Sequence, residues 1–270
     1  MKNKGKHTES FQVTRIKPGG SRTGSHEFIG EEPLLIRIDE KPYSVVMRTP
    51  GEEVFHAAGF CLGEGIVSSP DDFTTIGYCE DLDPNVIDIR LNPERRQKIL
   101  DILARRSFVS QTSCGICGKE MLKDLYQRLT PAENSFQVDL SQIYECIQKL
   151  PKHQKYYQKT RASHAAMIFN ETLAMISFAE DVGRHNALDK AIGEAFMNRK
   201  LPEAAIAVLS SRISYELVQK AARAHLPILI GMSRPTALAA EMGRTLNMTL
   251  ACMGKSSELI VICGENRILS

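Results

Sequence analysis

The sequence lacks several features that would place it in a specialised class of protein. It has no tryptophan, no evident internal repeat and no apolar run long enough for a transmembrane helix. Its formal net charge of only +2 gives no bulk electrostatic reason to bind nucleic acid or a membrane. Residues 1–25 are polar and contain no apolar segment of the kind that signal peptides have. With 270 residues, we expect a globular chain with a sizeable core.

Cysteine is present, but without the pattern of a disulfide framework. The chain has seven cysteines, an odd number, and only Cys114 and Cys117 form a close pair. Disulfide-stabilised secreted domains have regularly spaced, usually paired cysteines. This usage therefore predicts a reducing, cytoplasmic compartment.

The cysteine pair lies in a chemically distinctive stretch, residues 113–119, which read SCGICGK. Each cysteine is followed by a glycine, and helical spacing of apolar residues begins directly afterwards. We therefore expect a loop just before a helix N-terminus, where the helix dipole and neighbouring cations favour the thiolate. A thiolate flanked by glycines suits a group that moves between a donor and an acceptor.

Other interpretations of the pair remain open at the level of residue patterns. A structural zinc site needs four ligands, and the remaining cysteines and histidines are scattered. A thioredoxin-like redox pair normally follows the first strand of a βαβ unit, whereas this pair follows a predicted helix near mid-chain. A purely structural loop is the third alternative. The pattern favours a reactive, group-carrying thiol.

Apolar periodicity predicts an α/β fold. In the second half, β-rich runs alternate with helical segments, as in βαβ units whose mixed or parallel sheet is covered on both faces. We expect a flexible, mostly disordered arm over residues 1–30, in which Phe11, Val13 and Ile16 are candidates for an edge strand, and a single α/β domain over residues 31–270. That domain divides into a β-rich portion at about 31–92, a helical segment with the cysteine loop at about 93–160, and a βαβ core at about 161–270.

Two strand ends in the βαβ core carry matching chemistry. Residues 209–212 read LSSR and residues 232–236 read MSRPT, so each offers hydroxyl groups, backbone N–H groups and an arginine, Arg212 or Arg234. Ligands of open α/β sheets gather beyond the carboxyl ends of strands. The loops therefore predict an anion site for a phosphate or a pterin or purine edge. Alternatively, the hydroxyl groups only cap helices. His164, at a strand start, is either ligand-facing or a core histidine.

The densest polar cluster, residues 180–190, reads EDVGRHNALDK and connects a strand to a helix. Asp181 and Arg184 are candidates to pair with each other, and His185 is a candidate proton carrier. On a purely structural interpretation, the aspartate and lysine at 189–190 are solvated helix surface. The number of charged groups favours a functional role for the cluster.

On these motifs, the sequence resembles the FdhD family, the formate dehydrogenase accessory sulfurtransferases. The resemblance runs in family order over nearly the whole chain beyond the arm, and SCGICGK and EDVGRHNALDK are its most specific segments. The other matching segments are Glu32-Pro33-Leu34, Met47-Arg48-Thr49-Pro50, Ala58-Gly59-Phe60, Gly63-Glu64-Gly65-Ile66, His164-Ala165-Ala166, Tyr215-Glu216-Leu217-Val218-Gln219-Lys220 and Ser233-Arg234-Pro235-Thr236. The resemblance implies a cytidine-deaminase-like three-layer sandwich with a mixed sheet, and a homodimer.

The resemblance also implies an activity. A cysteine desulfurase would load a persulfide onto Cys114, with Cys117 assisting. The sulfur would pass to molybdenum bis(molybdopterin guanine dinucleotide), bound as a substrate, before that cofactor enters formate dehydrogenase. No structural metal is expected. The residues expected to contact the cofactor are Cys252, Met253, Gly254, Lys255, Ser256 and Ser257, together with Arg212, Arg234 and His185.

Two functions of different classes follow. The first is a sulfurtransferase acting through a cysteine persulfide, and the alternative is a non-catalytic chaperone that binds and delivers the cofactor. Zinc-dependent deamination is disfavoured in spite of the implied fold. It requires H-x-E together with P-C-x-x-C, but Ala166 stands where the glutamate would be and Ser113 precedes Cys114.

Overall fold

The computed structural model describes residues 5–78, 84–99, 129–133, 136–255 and 258–269. The helices in this part of the chain are α1 (Glu53–Gly63), α2 (Pro93–Lys98), α3 (Leu140–His153), α4 (Lys155–Thr160), α5 (Arg184–Met197), α6 (Tyr215–Arg223) and α7 (Ala237–Thr245). The strands are β1 (Thr8–Lys17), β2 (Gly20–Ile29), β3 (Glu32–Ile38), β4 (Lys41–Arg48), β5 (Phe73–Tyr78), β6 (Val86–Leu91), β7 (Val138–Asp139), β8 (His164–Asn170), β9 (Met175–Asp181), β10 (Ala204–Arg212), β11 (Ile228–Ser233), β12 (Thr249–Met253), β13 (Leu259–Cys263) and β14 (Ile268–Leu269). The predicted mixed α/β class is confirmed.

A six-stranded mixed sheet forms the centre, in the order β13-β12-β11-β10-β8-β9. Strands β10, β11 and β12 are parallel, and β8, β9 and β13 are antiparallel to their neighbours. The central strands read as nearly continuous apolar runs because both faces are covered. On one face lie α1, α5, α6 and α7, and on the other lies α3, as the two core clusters show. This is the expected three-layer arrangement.

A second sheet has four strands in the order β4-β3-β6-β5 and makes up the predicted β-rich portion. Its alternate residues Leu34, Ile36, Ile87 and Ile89 are fully or almost fully buried and join the same core cluster as α1 and α5. Helix α1 contacts β5 and β6, and α5 contacts β8 and β9. The helix pair therefore lies between the two sheets.

Helices α1 and α5 approach each other closely through two glycines. A Cβ atom on Gly59 would collide with the carbonyl oxygen of Asp189, and one on Gly193 would collide with the carbonyl oxygen of Phe55. Since the obstacles are backbone atoms, no side-chain movement relieves the collision. These glycines therefore set the distance at which the β-rich portion packs on the βαβ core.

The expectation of a mostly disordered N-terminal arm is corrected for residues 8–29. Strands β1 and β2 pair antiparallel over their full length as a hairpin. Its turn consists of Pro18 and Gly19, and Gly19 has φ 98°, a left-handed conformation that favours glycine. Sequence analysis offered only an edge strand at Phe11, Val13 and Ile16 and not a two-stranded hairpin, because most residues of this segment are exposed and polar and give little apolar alternation. Its flexibility as a unit, and the proposed domain limits, stay predictions.

The described parts of the expected helical segment, about 93–160, are helical. Helix α2 begins at Pro93. At the other end of the segment, α3 continues to His153 and α4 follows directly. The cysteine loop with Cys114 and Cys117, and almost all of the helix expected after it, lie outside the described residues.

Candidate functional site

One edge of the six-stranded sheet gathers most of the polar residues that the sequence singled out. The parallel strands β10, β11 and β12 all end there, at Arg212, Ser233 and Met253. Because β8 is antiparallel to β10, and β9 is antiparallel to β8, the start of β8 at His164 and the end of β9 at Asp181 reach the same edge. We call this the carboxyl edge. In open α/β sheets, ligands bind at such an edge.

Arg212 and Arg234 occupy neighbouring positions on the carboxyl edge. Arg212 is the register partner of Ser233, the residue before Arg234. Both arginines are exposed, and neither side chain has a hydrogen bond or carboxylate partner among the described residues. Two exposed guanidinium groups on neighbouring strand ends, with no carboxylate partner among the described residues, are suited to bind an anion such as phosphate. The structure thus brings the two predicted loops together.

The hydroxyl groups of these loops have divided roles. Thr236 caps α7 by accepting a hydrogen bond from the Ala239 N–H at 3.3 Å, as the capping alternative anticipates. Ser210 does not cap a helix: its Oγ accepts from the Ala165 N–H at 2.8 Å and lies 3.4 Å from Nδ1 of His164. Ser210 therefore ties β10 to the first residues of β8 at the site.

His164 is a half-buried residue of the carboxyl edge, not a core histidine. Burial lowers its pKa, and the positive charges of Arg184 and His185 lower it further, against a smaller opposing effect of Asp181. The ring is therefore neutral at physiological pH. It can accept or donate one hydrogen bond without adding charge.

Arg184 and His185 begin α5 and contribute the other charged groups of the edge. The Arg184 Nε is buried and has no hydrogen-bond partner among the described residues. Burial lowers the pKa of Arg184, as does the charge of Arg212, while Glu216 opposes them. Two arginines within electrostatic reach of each other repel unless an anion lies between them. His185 places its Nε2 2.7 Å from Oε2 of Glu216.

The turn between β12 and β13 carries the residues that the resemblance assigned to cofactor binding. Met253 and Gly254 are half-buried and Lys255 is exposed, and the turn is closed by the Gly254 N–H donating to the Glu258 carbonyl at 2.8 Å. Ser256 and Ser257 lie outside the described residues. Lys255 adds a cation at the far end of the carboxyl edge from His164.

Cys252 precedes this turn and has no exposed surface. Burial raises the pKa of its thiol, and the charge of Arg234 partly opposes that effect. Cys252 therefore packs as a small apolar residue. Any contact that it makes with a ligand is expected to go through its backbone.

Several residues of the EDVGRHNALDK segment have structural roles that the sequence did not reveal. Asp181 does not pair with Arg184: its Oδ2 lies 2.8 Å from Nζ of Lys190 and accepts from the Thr49 N–H at 3.0 Å. Asp189 and Lys190 are not solvated surface, because both are about 2% exposed. Asp189 binds Nζ of Lys220 at 2.8 Å. The segment thus divides into buried anchors and the two site-facing residues, Arg184 and His185.

The contacts of three site residues had no signal in the sequence. Ser214 and Glu216 both contact Nε2 of His185, but they lie at the start of another helix, and no local spacing connects them with it. Thr49 lies in a segment that matches the family, yet nothing in the sequence indicates that its backbone and hydroxyl group bind the start of the EDVGRHNALDK segment. Such contacts depend on tertiary packing.

The described part of the chain shows neither a metal centre nor a membrane-spanning helix. Among these residues, no group of three or more histidine, cysteine, aspartate or glutamate side chains is arranged to hold a metal ion. The described helices are all too short or too polar to cross a membrane.

Comparison with known proteins gives a consistent set of similarities. The model of the FdhD/NarQ family matches residues 29–269. The sulfur carrier protein FdhD of Streptomyces coelicolor is 34% identical over 274 residues, covering 98% of this chain and 96% of the relative. The protein of the same name from Sulfolobus acidocaldarius is 35% identical over 259 residues, covering 95% and 97%. A crystal structure described as a putative formate dehydrogenase accessory protein from Desulfotalea psychrophila shares the fold, with a TM-score of 0.78 and 22% identity over 98% of this chain and 100% of that chain.

Proposed function

Because the chain belongs to the FdhD/NarQ family, we propose that it is a sulfur carrier for formate dehydrogenase maturation. It takes persulfide sulfur from a cysteine desulfurase onto Cys114. It then transfers the sulfur to molybdenum bis(molybdopterin guanine dinucleotide), a bound substrate that is next inserted into formate dehydrogenase. The observation that carries this proposal is the carboxyl edge, where Arg212 and Arg234 have no carboxylate partner among the described residues and the Arg184 Nε is buried without a hydrogen bond.

The sulfur-loading step follows ordinary thiol chemistry. The Cys114 thiolate attacks the outer sulfur of the donor's cysteine persulfide, a new S–S bond forms on Cys114, and the donor cysteine leaves as a thiolate. In the release step, a Cys117 thiolate attacks Sγ of Cys114. This step forms a Cys114–Cys117 disulfide, and the outer sulfur leaves as hydrosulfide, which the cofactor accepts. A cytoplasmic thiol pool then reduces the disulfide.

The carboxyl edge supplies the acceptor's binding site. A guanine dinucleotide carries phosphates, which bind best to guanidinium groups and to backbone N–H groups at helix N-termini. Arg212 and Arg234 project at the ends of β10 and β11, just before α6 and α7. We assign them, with His185 and the 252–257 segment, to cofactor binding. On the family resemblance, we also propose a homodimer in the cytoplasm.

The alternative function is a chaperone that binds and delivers the cofactor without carrying sulfur. A complementation experiment in cells that lack the endogenous homologue distinguishes the two functions, with formate dehydrogenase activity as the measurement. A sulfur carrier requires both Cys114 and the arginines, so neither Cys114→Ala nor Arg234→Ala should restore the activity. For a chaperone, Cys114→Ala should restore the activity, and only Arg234→Ala should not.

Matched controls come from residues of the same type away from the site. The Cys146 thiol is inert because burial raises its pKa to about 11, so Cys146→Ala should complement. Arg244 lies at the opposite edge of the sheet, where it donates to the Ile262 carbonyl at 3.2 Å, and Arg244→Ala should also complement. Full complementation by Cys114→Ala would eliminate the sulfur-carrier function.

A further inference from the structure

Asn186, in the first turn of α5, hydrogen-bonds through its side-chain amide to two acceptors on other elements. Its Nδ2 lies 2.7 Å from the Met47 carbonyl oxygen on β4 and 2.9 Å from Oδ1 of Asp181 at the end of β9. A primary amide carries two N–H donors on its nitrogen, so this one group serves both acceptors. Since β4 and β9 belong to different sheets, Asn186 joins the start of α5 to both of them.

The chemistry of this position is specific to an amide. The two acceptors are a carbonyl oxygen and a carboxylate oxygen, so a flipped asparagine would place its own oxygen against two others. An ionised aspartate at 186 would present only oxygen atoms, and a serine or threonine has a single hydroxyl proton to donate. Of the short polar side chains, asparagine alone therefore serves both acceptors.

Gly183 leaves free the space that this amide occupies. A Cβ atom at residue 183 would lie 2.8 Å from Nδ2 of Asn186, closer than non-bonded carbon and nitrogen atoms pack. The φ of Gly183 is −97°, which other residues also adopt. The need for glycine here therefore comes from the amide of Asn186 and not from the backbone conformation.

Hydrogen bonds to one carboxylate oxygen bracket the two residues that face the ligand site. Just before Arg184 and His185, the Gly183 N–H donates to Oδ1 of Asp181 at 2.8 Å. Directly after them, the amide of Asn186 donates to the same oxygen. The chain segment that carries Arg184 and His185 is therefore fixed at both ends.

We propose that Asn186 is a positioning residue that closes this turn against β4 and β9 and so holds Arg184 and His185 in place for the ligand. The inference rests on the proposed function, because it assumes a phosphate-bearing ligand at the carboxyl edge. Asn186 itself does not touch that ligand. It acts on binding through the two residues that precede it.

The test measures binding of guanosine diphosphate, as the probe, to the full chain by titration calorimetry. Asn186→Ala removes both hydrogen bonds and leaves the charge of the protein unchanged. We expect it to weaken binding about fivefold, less than the loss of about tenfold for removal of a phosphate-binding arginine, because Arg184 is displaced and not removed. Asn198, exposed at the C-terminal end of the same helix, provides the matched control, and Asn198→Ala should bind as wild type does.

A double-mutant cycle separates positioning from a general loosening of the fold. In a background with Arg184→Ala and His185→Ala, the change Asn186→Ala should cause no further loss, because the residues through which it acts are gone. In the Arg234→Ala background it should still cause its full loss, since Arg234 follows another strand, β11. A loosened fold would give equal losses in both backgrounds.

Gly183→Ala perturbs the same amide by a second route. The new Cβ displaces Nδ2 of Asn186 without removing a donor or changing a charge. It should weaken binding in the wild-type background and cause no further loss in the background that lacks Arg184 and His185. If Asn186→Ala does not fold, the cycle with Gly183→Ala supplies the test.

The outcomes are distinct. Wild-type affinity in both Asn186→Ala and Gly183→Ala would overturn this inference and leave the proposed function standing. Equal losses in the two backgrounds would overturn it as well. If wild type binds no guanosine diphosphate, the proposed ligand site fails, and the inference fails with it.

Discussion

Nζ of Lys190 lies 2.8 Å from Oδ2 of Asp181, and both side chains are at most 1% exposed. The same ammonium group donates to the Thr49 carbonyl at 2.8 Å. The pair therefore ties three elements together: the end of β9, helix α5 and the residue that follows β4. This anchor fixes the chain just before Arg184 and His185, so the position of the carboxyl edge depends on it.

Loss of Lys190 should destabilise the whole fold. Lys190→Met leaves the Asp181 carboxylate buried without its cation, and breaking a buried pair in this way costs about 3–5 kcal/mol. The free energy of unfolding, measured by urea denaturation, should fall by that amount. The double variant Asp181→Asn, Lys190→Met should recover part of the loss, because no unpaired charge is then buried.

An exposed ion pair provides the control for Lys190→Met. Lys98 and Glu94 approach to 2.6 Å on α2, but their side chains are 63% and 80% exposed. Exposed pairs contribute little to stability. Lys98→Met should therefore leave the unfolding midpoint nearly unchanged, and equal losses for Lys98→Met and Lys190→Met would contradict the assigned role of the buried pair.

The crossing of α1 and α5 should not tolerate a methyl group at Gly193. Gly193→Ala forces the new Cβ against the carbonyl oxygen of Phe55, and overpacking against rigid backbone should cost about 3 kcal/mol or more. Gly77→Ala in β5 is the matched control, because a Cβ atom added there would have no other atom within 4 Å. Thermal unfolding of both variants is the measurement, and a Gly193→Ala protein as stable as Gly77→Ala would refute the close packing.

The buried imidazole of His56 should make stability fall in acid. Its pKa is held well below the usual value, first by burial and then by the charges of Lys190, Lys220 and Arg48. The unfolded chain therefore binds a proton below about pH 6.5 that the folded chain excludes, and stability decreases as the pH drops through that range.

His56→Gln removes this titration, so its unfolding free energy should decline less between neutral pH and about pH 5 than that of wild type. His225 is exposed and has φ 54°, which asparagine accepts, so His225→Asn is the control and should follow wild type. Parallel pH dependences for wild type and His56→Gln would show that His56 is not kept neutral by the fold.

The two arginines at the strand ends should each contribute to nucleotide binding. Arg212→Ala and Arg234→Ala should each weaken binding of guanosine diphosphate about tenfold, because a charge-assisted hydrogen bond contributes about 1.5 kcal/mol or more. Titration calorimetry is the measurement. Arg244→Ala, at the opposite edge, should bind as wild type does, and a uniform effect of all three variants would indicate nonspecific charge attraction.

Much of the βαβ core was predictable because its elements have strong local signals. Apolar strands such as β10 and β11, and the helices between them, follow directly from periodicity. The rule that ligands gather at strand carboxyl ends then placed Arg212 and Arg234 together. The pairing of β1 and β2 was missed because both faces of the hairpin are largely exposed and polar residues outnumber its few apolar ones, so the alternation that indicates a strand is weak.

The partners of individual charged residues were not predictable. Asp181 was expected to meet Arg184, three positions away, whereas it binds Lys190 and Thr49. The choice depends on how α5 folds back against β4, which no local pattern encodes. The contact of Glu216 with His185 has the same origin, since it joins two helices that follow different strands.

The most direct test of the account is the intact mass of the protein after incubation with a cysteine desulfurase and cysteine. The wild type and Cys146→Ala should each gain one sulfur atom that a thiol reductant removes. Cys114→Ala should gain none, although it still folds and binds guanosine diphosphate. If Cys114→Ala gains the same reducible sulfur, Cys114 is not the carrier, and the central claim is contradicted.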